Sequence, residues 1–219
     1  MDFRLGESSD EFRVEVREFL DEHMSMELEE QVYRTGVSHD EAFTAALAER
    51  GWIAPSWPVE LGGQARDPLD MMALAEEIRV ADAPTYGIGT TTMVATVLRE
   101  VGTPEQQAII PRALAGEIVI VLGFSEPEAG SDAAALKTSA TLENGVYRVT
   151  GTKQWCTQAN RADVLKVFCR TGASSKRHGG ISMLLCEKPR GEQFVPPTLT
   201  GQRIDTIGYH GMHTYSLFF

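Results

Sequence analysis

The feature that most constrains this chain is a change of pattern near residue 117 of its 219 residues. Before that point helix-start signals recur, and glycines such as Gly51 and Gly116 can end the helices. After it, β-branched runs alternate with turn residues, and Asn144-Gly145 is a strong hairpin signal. The helix-start signals are Ser8-Ser9-Asp10-Glu11, Ser38-His39-Asp40-Glu41, Asp67-Pro68 and Thr103-Pro104-Glu105-Gln106. Since helices precede strands instead of alternating with them, the sequence predicts an α+β fold with domains 1–117 and 118–219.

Composition and charge narrow the class of protein. The chain is 42% apolar and 23% charged, as expected for a globular protein. Its formal charge of −11 disfavours nucleic acid or anionic lipid as a partner. The apolar runs are too short to span a bilayer, and no signal peptide is evident, so we expect a cytoplasmic protein. Three widely spaced cysteines, Cys156, Cys169 and Cys186, lack metal-ligand spacing, and we expect reduced thiols and no metal.

The first of two informative segments is Gly123–Asp132, which follows an apolar strand. Alternation along that strand places Phe124 and Ser125 on opposite faces, so that an apolar wall lies beside a hydroxyl. The backbone N–H groups of the turn around Ser131 can point towards an anion or a carbonyl. An ordinary strand-to-turn connection would look the same, and this segment alone does not decide between the two.

The second segment, Gly151–Thr157, lies one hairpin further on. Trp155 and Thr157 are two residues apart on a predicted strand, so an indole and a hydroxyl share one face. An indole can pack on a flavin ring while a hydroxyl reaches its N5 edge. The alternative is a core tryptophan beside an exposed threonine. A Rossmann-type site is excluded because Gly87-Ile88-Gly89 lacks both the third glycine and the preceding strand.

Together these segments lead to a family resemblance that covers essentially the whole chain. The chain resembles the acyl-CoA dehydrogenases, of which Ser-Glu-Pro-x-Ala-Gly-Ser-Asp is a specific signature. The tryptophan form of the second segment, with the run Lys176–Ser182, is most similar to bacterial, especially actinobacterial, members. In family order, the residues that carry the resemblance are Gly51-Trp52, Pro58-x-Glu60-x-Gly62-Gly63, Gly102–Gln106, Gly123–Asp132, Gly151-x-Lys153-x-Trp155 and Ala162-Asp163.

The resemblance implies a particular architecture and cofactor. An all-helical N-terminal domain, residues 1–117, would precede an antiparallel β-barrel-like domain, residues 118–219. The family's C-terminal four-helix domain would be absent, and we expect the β-domain to be incomplete where the chain stops at Phe219. The family binds FAD across a subunit boundary, commonly in a tetramer, and the partner subunits here could be identical or different.

The resemblance also implies roles for individual residues. Ser131 would approach both the flavin and the acyl-CoA arm, and Thr157 would lie at N5. Departures from the family pattern occur at Phe124, usually aliphatic, at Leu122, often aromatic, and at His210, where arginine is common. The implied cofactor-binding residues are Leu122, Phe124 and Ser125 on the pyrimidine side, with Ser131, Trp155, Cys156 and Thr157 near the ring.

The reaction implied is α,β-dehydrogenation of an acyl-CoA thioester to the trans-2-enoyl-CoA. Electrons would pass through FAD to an electron-transfer flavoprotein or an equivalent acceptor. In the family the catalytic carboxylate comes from the C-terminal helical domain, so the resemblance implies a base beyond Phe219. We expect Glu126 instead to fix a turn through backbone hydrogen bonds. The isolated chain would then be inactive. The alternatives are a non-catalytic flavin- or acyl-CoA-binding subunit of a hetero-oligomer, and a related acyl-CoA oxidase or flavin monooxygenase.

Overall fold

The structure, a computed structural model, describes residues 5–172, 178–190, 194–209 and 211–219. It divides into two compact units, Met1–Glu117 and Ile118–Phe219. The first unit is helical and the second is built mainly of strands, so the predicted α+β fold class is confirmed.

The first unit contains seven α-helices in its described part. No helix among the described residues is both long enough and apolar enough to cross a membrane. A short 3-10 helix, Val59–Leu61, also lies in this unit. The α-helices are α1 Glu7–His23, α2 Met26–Thr35, α3 Glu41–Glu49, α4 Pro68–Val80, α5 Ile88–Val101, α6 Pro104–Gln107 and α7 Ile110–Leu114.

Helices α4 and α6 begin where the sequence predicts, each with its predicted N-terminal cap. The Asp67 side chain accepts hydrogen bonds from Leu69 N and Asp70 N, and Pro68 occupies the first turn of α4. Thr103 and Gln106 form the reciprocal capping box of α6. Each cap satisfies backbone donors that the first turn of a helix leaves without an intrahelical partner.

The two earlier predicted boxes differ from expectation. Helix α3 is capped by Asp40, whose Oδ1 accepts from Phe43 N at 2.7 Å, and not by Ser38. Helix α1 starts after Gly6 without a side-chain cap. The Ser9 hydroxyl donates instead to Asp70 Oδ1 at 2.8 Å, because Ser9 is buried and a partner on α4 compensates its desolvation.

Aromatic side chains form the centre of the helical unit. Phe19 contacts both Phe43 and Trp52 in edge-to-face arrangements, with ring centroids 5.5 and 5.1 Å apart. Phe12 meets the Trp52 ring edge-on at 5.4 Å. All four side chains are buried, and edge-to-face contacts add to the stability gained from their burial. The apolar residues at helical spacing in α1 are therefore buried in the core, as predicted.

Helices α1 and α4 are also joined by a buried carboxylate. Glu77 accepts from Arg13 Nη1 at 2.6 Å and from Arg17 Nε at 2.8 Å, and only 7% of Glu77 is exposed. The hydrogen bond from Arg17 is the largest influence that lowers the pKa of Glu77, and Arg13 adds to it against the opposing effect of burial. The charged form of Glu77 therefore stabilises this helix pair.

The second unit contains two sheets. Strand β5 is central in the larger sheet, where β6 pairs antiparallel along one edge, β1 and β2 pair parallel along the other, and β3 pairs antiparallel with β2. The smaller sheet has the order β4-β8-β7. The strands are β1 Ile120–Gly123, β2 Ser139–Glu143, β3 Val146–Thr150, β4 Thr152–Thr157, β5 Val164–Arg170, β6 Ile181–Glu187, β7 Thr200–Ile204 and β8 Thr214–Phe218.

The predicted hairpin forms as its turn residues require. Strands β2 and β3 pair from Ser139↔Thr150 to Glu143↔Val146, which leaves Asn144 and Gly145 as a two-residue turn. Both turn residues have positive φ, 51° and 81°, as expected for the turn type that matches strand twist. The domain predicted to be antiparallel also contains parallel pairing, because β1 and β2 both run parallel to β5.

We predict that Glu77→Gln lowers the free energy of unfolding of the helical unit by about 2 kcal/mol at neutral pH. The folded pKa of Glu77 is lowered, so its contribution is complete above the unfolded pKa of about 4.3 and is lost as pH falls through the folded pKa. The difference between the wild type and Glu77→Gln should therefore shrink on acidification. Urea unfolding at neutral and acidic pH measures it.

The matched control is Glu76→Gln, because Glu76 also binds Arg13 but its side chain is 53% exposed. This change should cost about 0.5 kcal/mol or less. Equal stability of the wild type and Glu77→Gln at neutral pH would contradict the role given to the buried carboxylate.

Candidate functional site

The structure brings the two informative segments side by side. Gln154 N, on β4, donates to Ser125 O at 2.8 Å. One residue earlier, Lys153 Nζ donates to Phe124 O at 3.0 Å. The end of β1 is thus bound directly to the middle of β4, although the hairpin separates the two segments in sequence.

Glu126 has a structural position, as predicted. Its Oε2 accepts from Lys137 N at 2.7 Å, and its Oε1 accepts from Thr138 N at 2.9 Å and from Lys153 Nζ at 2.8 Å. Burial by itself would raise the pKa of Glu126, but the bonds from Lys153 and the two amides outweigh it and hold this pKa below its usual range. The expectation that Glu126 fixes the turn through backbone hydrogen bonds is confirmed.

A β-bulge turns Trp155 outward. Lys153 pairs with Leu217 and Cys156 pairs with Tyr215, so β4 carries one residue more than β8 over this stretch. Trp155 has φ 62°, a left-handed conformation that a bulky residue rarely adopts. Its side chain is 54% exposed, whereas Trp52 and Trp57 are buried. The alternative of Trp155 as a core tryptophan is therefore excluded.

The polar groups of the site fit a planar ligand with a hydrogen-bonding edge. Ser125 and Thr157 are half-buried and Ser131 is exposed. Among the residues that the structure describes, no protein group bonds to these three hydroxyls or to the Trp155 indole N–H. A half-buried hydroxyl without a protein partner is available to a ligand, and an outward indole supplies an apolar plane beside it. This donor set is compatible with a flavin.

Leu122 and Phe124 lie on the sheet face opposite the core of the second unit. Val121, Leu165 and Val167 belong to that core. Leu122 pairs with Lys166 across β1 and β5, and both alternate with the core residues. The two predicted side chains are half-buried, so this face of β1 presents apolar surface.

Phe168 and Lys166 are two neighbours of this face that were not predicted from the sequence. The Phe124 ring meets the Phe168 ring edge-on, with centroids 4.6 Å apart, which accommodates the larger side chain at this position. Lys166 Nζ lies 5.2 Å from the Phe168 centroid, and burial lowers the pKa of Lys166. The register of β1 against β5, which the sequence does not show, was needed to place these two residues beside Leu122 and Phe124.

The structure separates Cys156 from the other predicted residues of this segment. Its side chain is fully buried in the core of the second unit, with Val119 and Leu165 among its cluster. Burial raises the pKa of the Cys156 thiol to about 12. The thiol thus lies on the other side of β4 from the exposed indole, and only the backbone of Cys156 continues the segment between Trp155 and Thr157.

Several residues noted in the sequence lie outside the part of the chain that the structure describes, namely His210, Lys176 and Arg177. In the described part of the chain, no group of three or more His, Cys, Asp or Glu side chains could hold a metal ion.

A helical unit followed by a two-sheet unit, with a signature turn bound to a bulged strand, defines the class of protein. Residues 6–117 match the family model "Acyl-CoA dehydrogenase, N-terminal domain", and residues 121–219 match "Acyl-CoA dehydrogenase, middle domain". The chain therefore belongs to the acyl-CoA dehydrogenase family.

Individual relatives agree with this assignment. Acyl-CoA dehydrogenase FadE26 of Mycobacterium tuberculosis is 34% identical over 186 residues, which are 80% of this chain and 46% of that protein. The crystal structure of an acyl-CoA dehydrogenase from Geobacillus kaustophilus matches 100% of this chain and 57% of its own, with 29% identity and a TM-score of 0.82. The predicted likeness to bacterial members is confirmed.

A further structural match is a chain of the ChsE4-ChsE5 complex from Mycobacterium tuberculosis, with 30% identity and a TM-score of 0.81. It covers 100% of this chain and 55% of that one. The chain spans about half the length, or less, of the first curated relatives that it matches.

We predict that Cys156 in the folded protein resists alkylation near pH 8. With its pKa raised to about 12, its thiolate fraction there is roughly one in ten thousand, and the core also excludes the reagent. Mass spectrometry after brief iodoacetamide treatment measures the modification. Concentrated urea should expose all three cysteines to rapid alkylation, and stoichiometric modification of Cys156 without urea would contradict its placement.

Proposed function

We propose that this chain carries the flavin-binding half of an FAD-dependent acyl-CoA dehydrogenase. The reaction is α,β-dehydrogenation of an acyl-CoA thioester to the trans-2-enoyl-CoA. The observation that supports it best is that two hydrogen-bonded segments carry the outward Trp155 indole and the available hydroxyls of Ser125 and Thr157. Family membership supplies the reaction class.

The proposal assigns a role to each side of the site. Leu122, Phe124 and Ser125 contact the pyrimidine side of the flavin, and the Ser125 hydroxyl bonds to its polar edge. Trp155 packs against the ring, and the Thr157 hydroxyl and the adjacent backbone of Cys156 face its N5 side. When bound, FAD accepts the hydride from the β-carbon of the substrate.

Ser131 contacts the acyl-CoA arm in this proposal. Ser131 is exposed in the turn after Glu126, and no Cβ contact would restrict the backbone at the preceding Gly130. That turn therefore has room for a ligand close to its backbone. A thioester or pantetheine group could accept a hydrogen bond from the Ser131 hydroxyl without displacing protein atoms.

The proton-abstracting base is not Glu126 in this proposal. A base must be free to accept a proton from the substrate, and Glu126 is buried and bound by Lys153 and two backbone amides. Its lowered pKa also makes it a weak base. We therefore propose that a carboxylate outside this site supplies the proton step.

We further propose an electron-transfer flavoprotein or an equivalent protein as acceptor, and a tetrameric assembly. The three free cysteines are compatible with a reducing, cytoplasmic environment. A second candidate, a subunit of a hetero-oligomer, is favoured by the similarity to a chain of the ChsE4-ChsE5 complex. Native mass spectrometry of the complex purified from its natural source separates identical from different subunits.

We predict that the purified chain binds FAD and that Trp155→Ala weakens binding about tenfold, because the ring loses one aromatic contact. Flavin fluorescence titration measures the dissociation constant. Tyr147→Ala is the matched control, since Tyr147 is an exposed aromatic at the hairpin and outside the site. Absence of a flavin absorption band in the wild type after reconstitution would reject the cofactor assignment.

We predict little dehydrogenation by the isolated chain with acyl-CoA thioesters and an artificial electron acceptor, because Glu126 cannot serve as base. Robust turnover that Glu126→Gln abolishes would contradict this assignment of the base. Oxygen consumption with the same substrates would instead favour an acyl-CoA oxidase.

A further inference from the structure

Lys153 is a fully buried lysine between the two segments of the site. Its Nζ donates to Phe124 O at 3.0 Å and to Glu126 Oε1 at 2.8 Å. Its stem packs beside Gly123, where an added Cβ would meet Lys153 Cγ at 3.5 Å. An ammonium without exposure is stable only when such partners compensate its lost hydration.

The ammonium and its carboxylate partner bind three stretches of chain at one point. Lys153 lies on β4, and Phe124 and Glu126 belong to the exit of β1. Glu126 continues the connection to Lys137 N and Thr138 N, just before β2. A shift of Lys153 would therefore move the exit of β1 relative to β4.

The residues that follow Lys153 turn Trp155 outward. Gln154 N bonds to Ser125 O, and the pairing register changes between Lys153 and Cys156. Trp155 adopts its left-handed conformation inside this bulge. The bulge is therefore held at one end by the ammonium of Lys153 and at the other by the buried side chain of Cys156.

We propose that Lys153 is a positioning residue for the flavin: through Phe124 O and Glu126 it sets the separation and angle between Ser125 and the Trp155–Thr157 face. It touches neither ring nor substrate and acts through the backbone of both segments. The inference rests on the proposed function for the identity of the ligand, while its geometric part concerns this chain alone. A site whose supports are buried holds its ligand groups in one geometry.

The experiment compares Lys153→Met/Glu126→Gln with the wild-type chain. The double variant removes both charges and so avoids an unpaired buried carboxylate. We expect the apo-protein to keep a melting temperature near that of the wild type. The FAD dissociation constant should rise about tenfold, the cost of roughly one misaligned hydrogen bond, and the visible circular dichroism of bound flavin should change.

Lys188→Met is the matched control. Lys188 is another buried lysine of this unit, and its Nζ donates to Asn160 O, Ala162 O and Pro189 O, none of which belongs to either segment. This variant should lose stability but keep the wild-type flavin spectrum. A double variant with wild-type flavin affinity and circular dichroism would overturn the proposal, because Lys153 would then have only a structural role.

The rate of amide hydrogen exchange at Gln154 N tests the contact between the two segments without flavin, because this amide donates to Ser125 O. Faster exchange in the folded double variant supports the proposal, and unchanged protection overturns it. If the wild type binds no FAD, the proposed function fails, and this exchange still decides whether Lys153 positions the segments. If the double variant does not fold, Lys153→Arg replaces it: an altered flavin spectrum supports the proposal, and a wild-type spectrum overturns it.

Discussion

The buried ion pair of Lys153 and Glu126 is the interaction that fixes how three stretches of the second unit meet. Both groups leave water almost completely, and such a transfer is unfavourable unless every polar atom finds a partner. Here the carboxylate accepts from Lys153 Nζ and from two backbone amides, and the ammonium also bonds to Phe124 O. Loss of one partner of such a pair typically costs about 3–5 kcal/mol because the other remains buried and charged. The pair therefore couples the exit of β1, the approach to β2 and the middle of β4 into one arrangement.

The bulge in β4 adds an exposed aromatic side chain, Trp155, to this rigid arrangement. In a regular strand, Lys153 and Trp155 would share one face because side chains alternate with a period of two. The extra residue breaks this alternation, so Lys153 and Cys156 both point inward while Trp155 points out. The left-handed backbone at Trp155 is unfavourable, and the buried residues on either side compensate it. An indole presented in this way can bind a planar ligand without first giving up core contacts.

These features show which parts of the structure could be predicted from the sequence. The caps at Asp67 and Thr103 and the turn at Asn144-Gly145 are local, since a few neighbouring residues satisfy the backbone there. Signature residues likewise marked the two segments that the structure brings side by side. Alternation does not hold between Lys153 and Trp155, because a bulge depends on pairing with β8, a strand almost sixty residues away in sequence. The parallel pairing of β1 with β5 and the bond between Ser9 and Asp70 are equally non-local.

Phe124 departs from the aliphatic residue usual at its position, and the pairing register of β1 with β5 explains how the larger ring fits. A larger ring in place of an aliphatic side chain would overfill a packed site unless a neighbour gave way. The register of β1 with β5 places Phe168 beside Phe124, and the two rings meet edge-on, a favoured aromatic geometry. Phe168 in turn lies under the ammonium of Lys166. The substitution at Phe124 is therefore accommodated by residues of β5, and the backbone of Phe124 remains free to bond to Lys153. The larger side chain at Phe124 is thus compatible with the hydrogen bond from Lys153 to the Phe124 carbonyl.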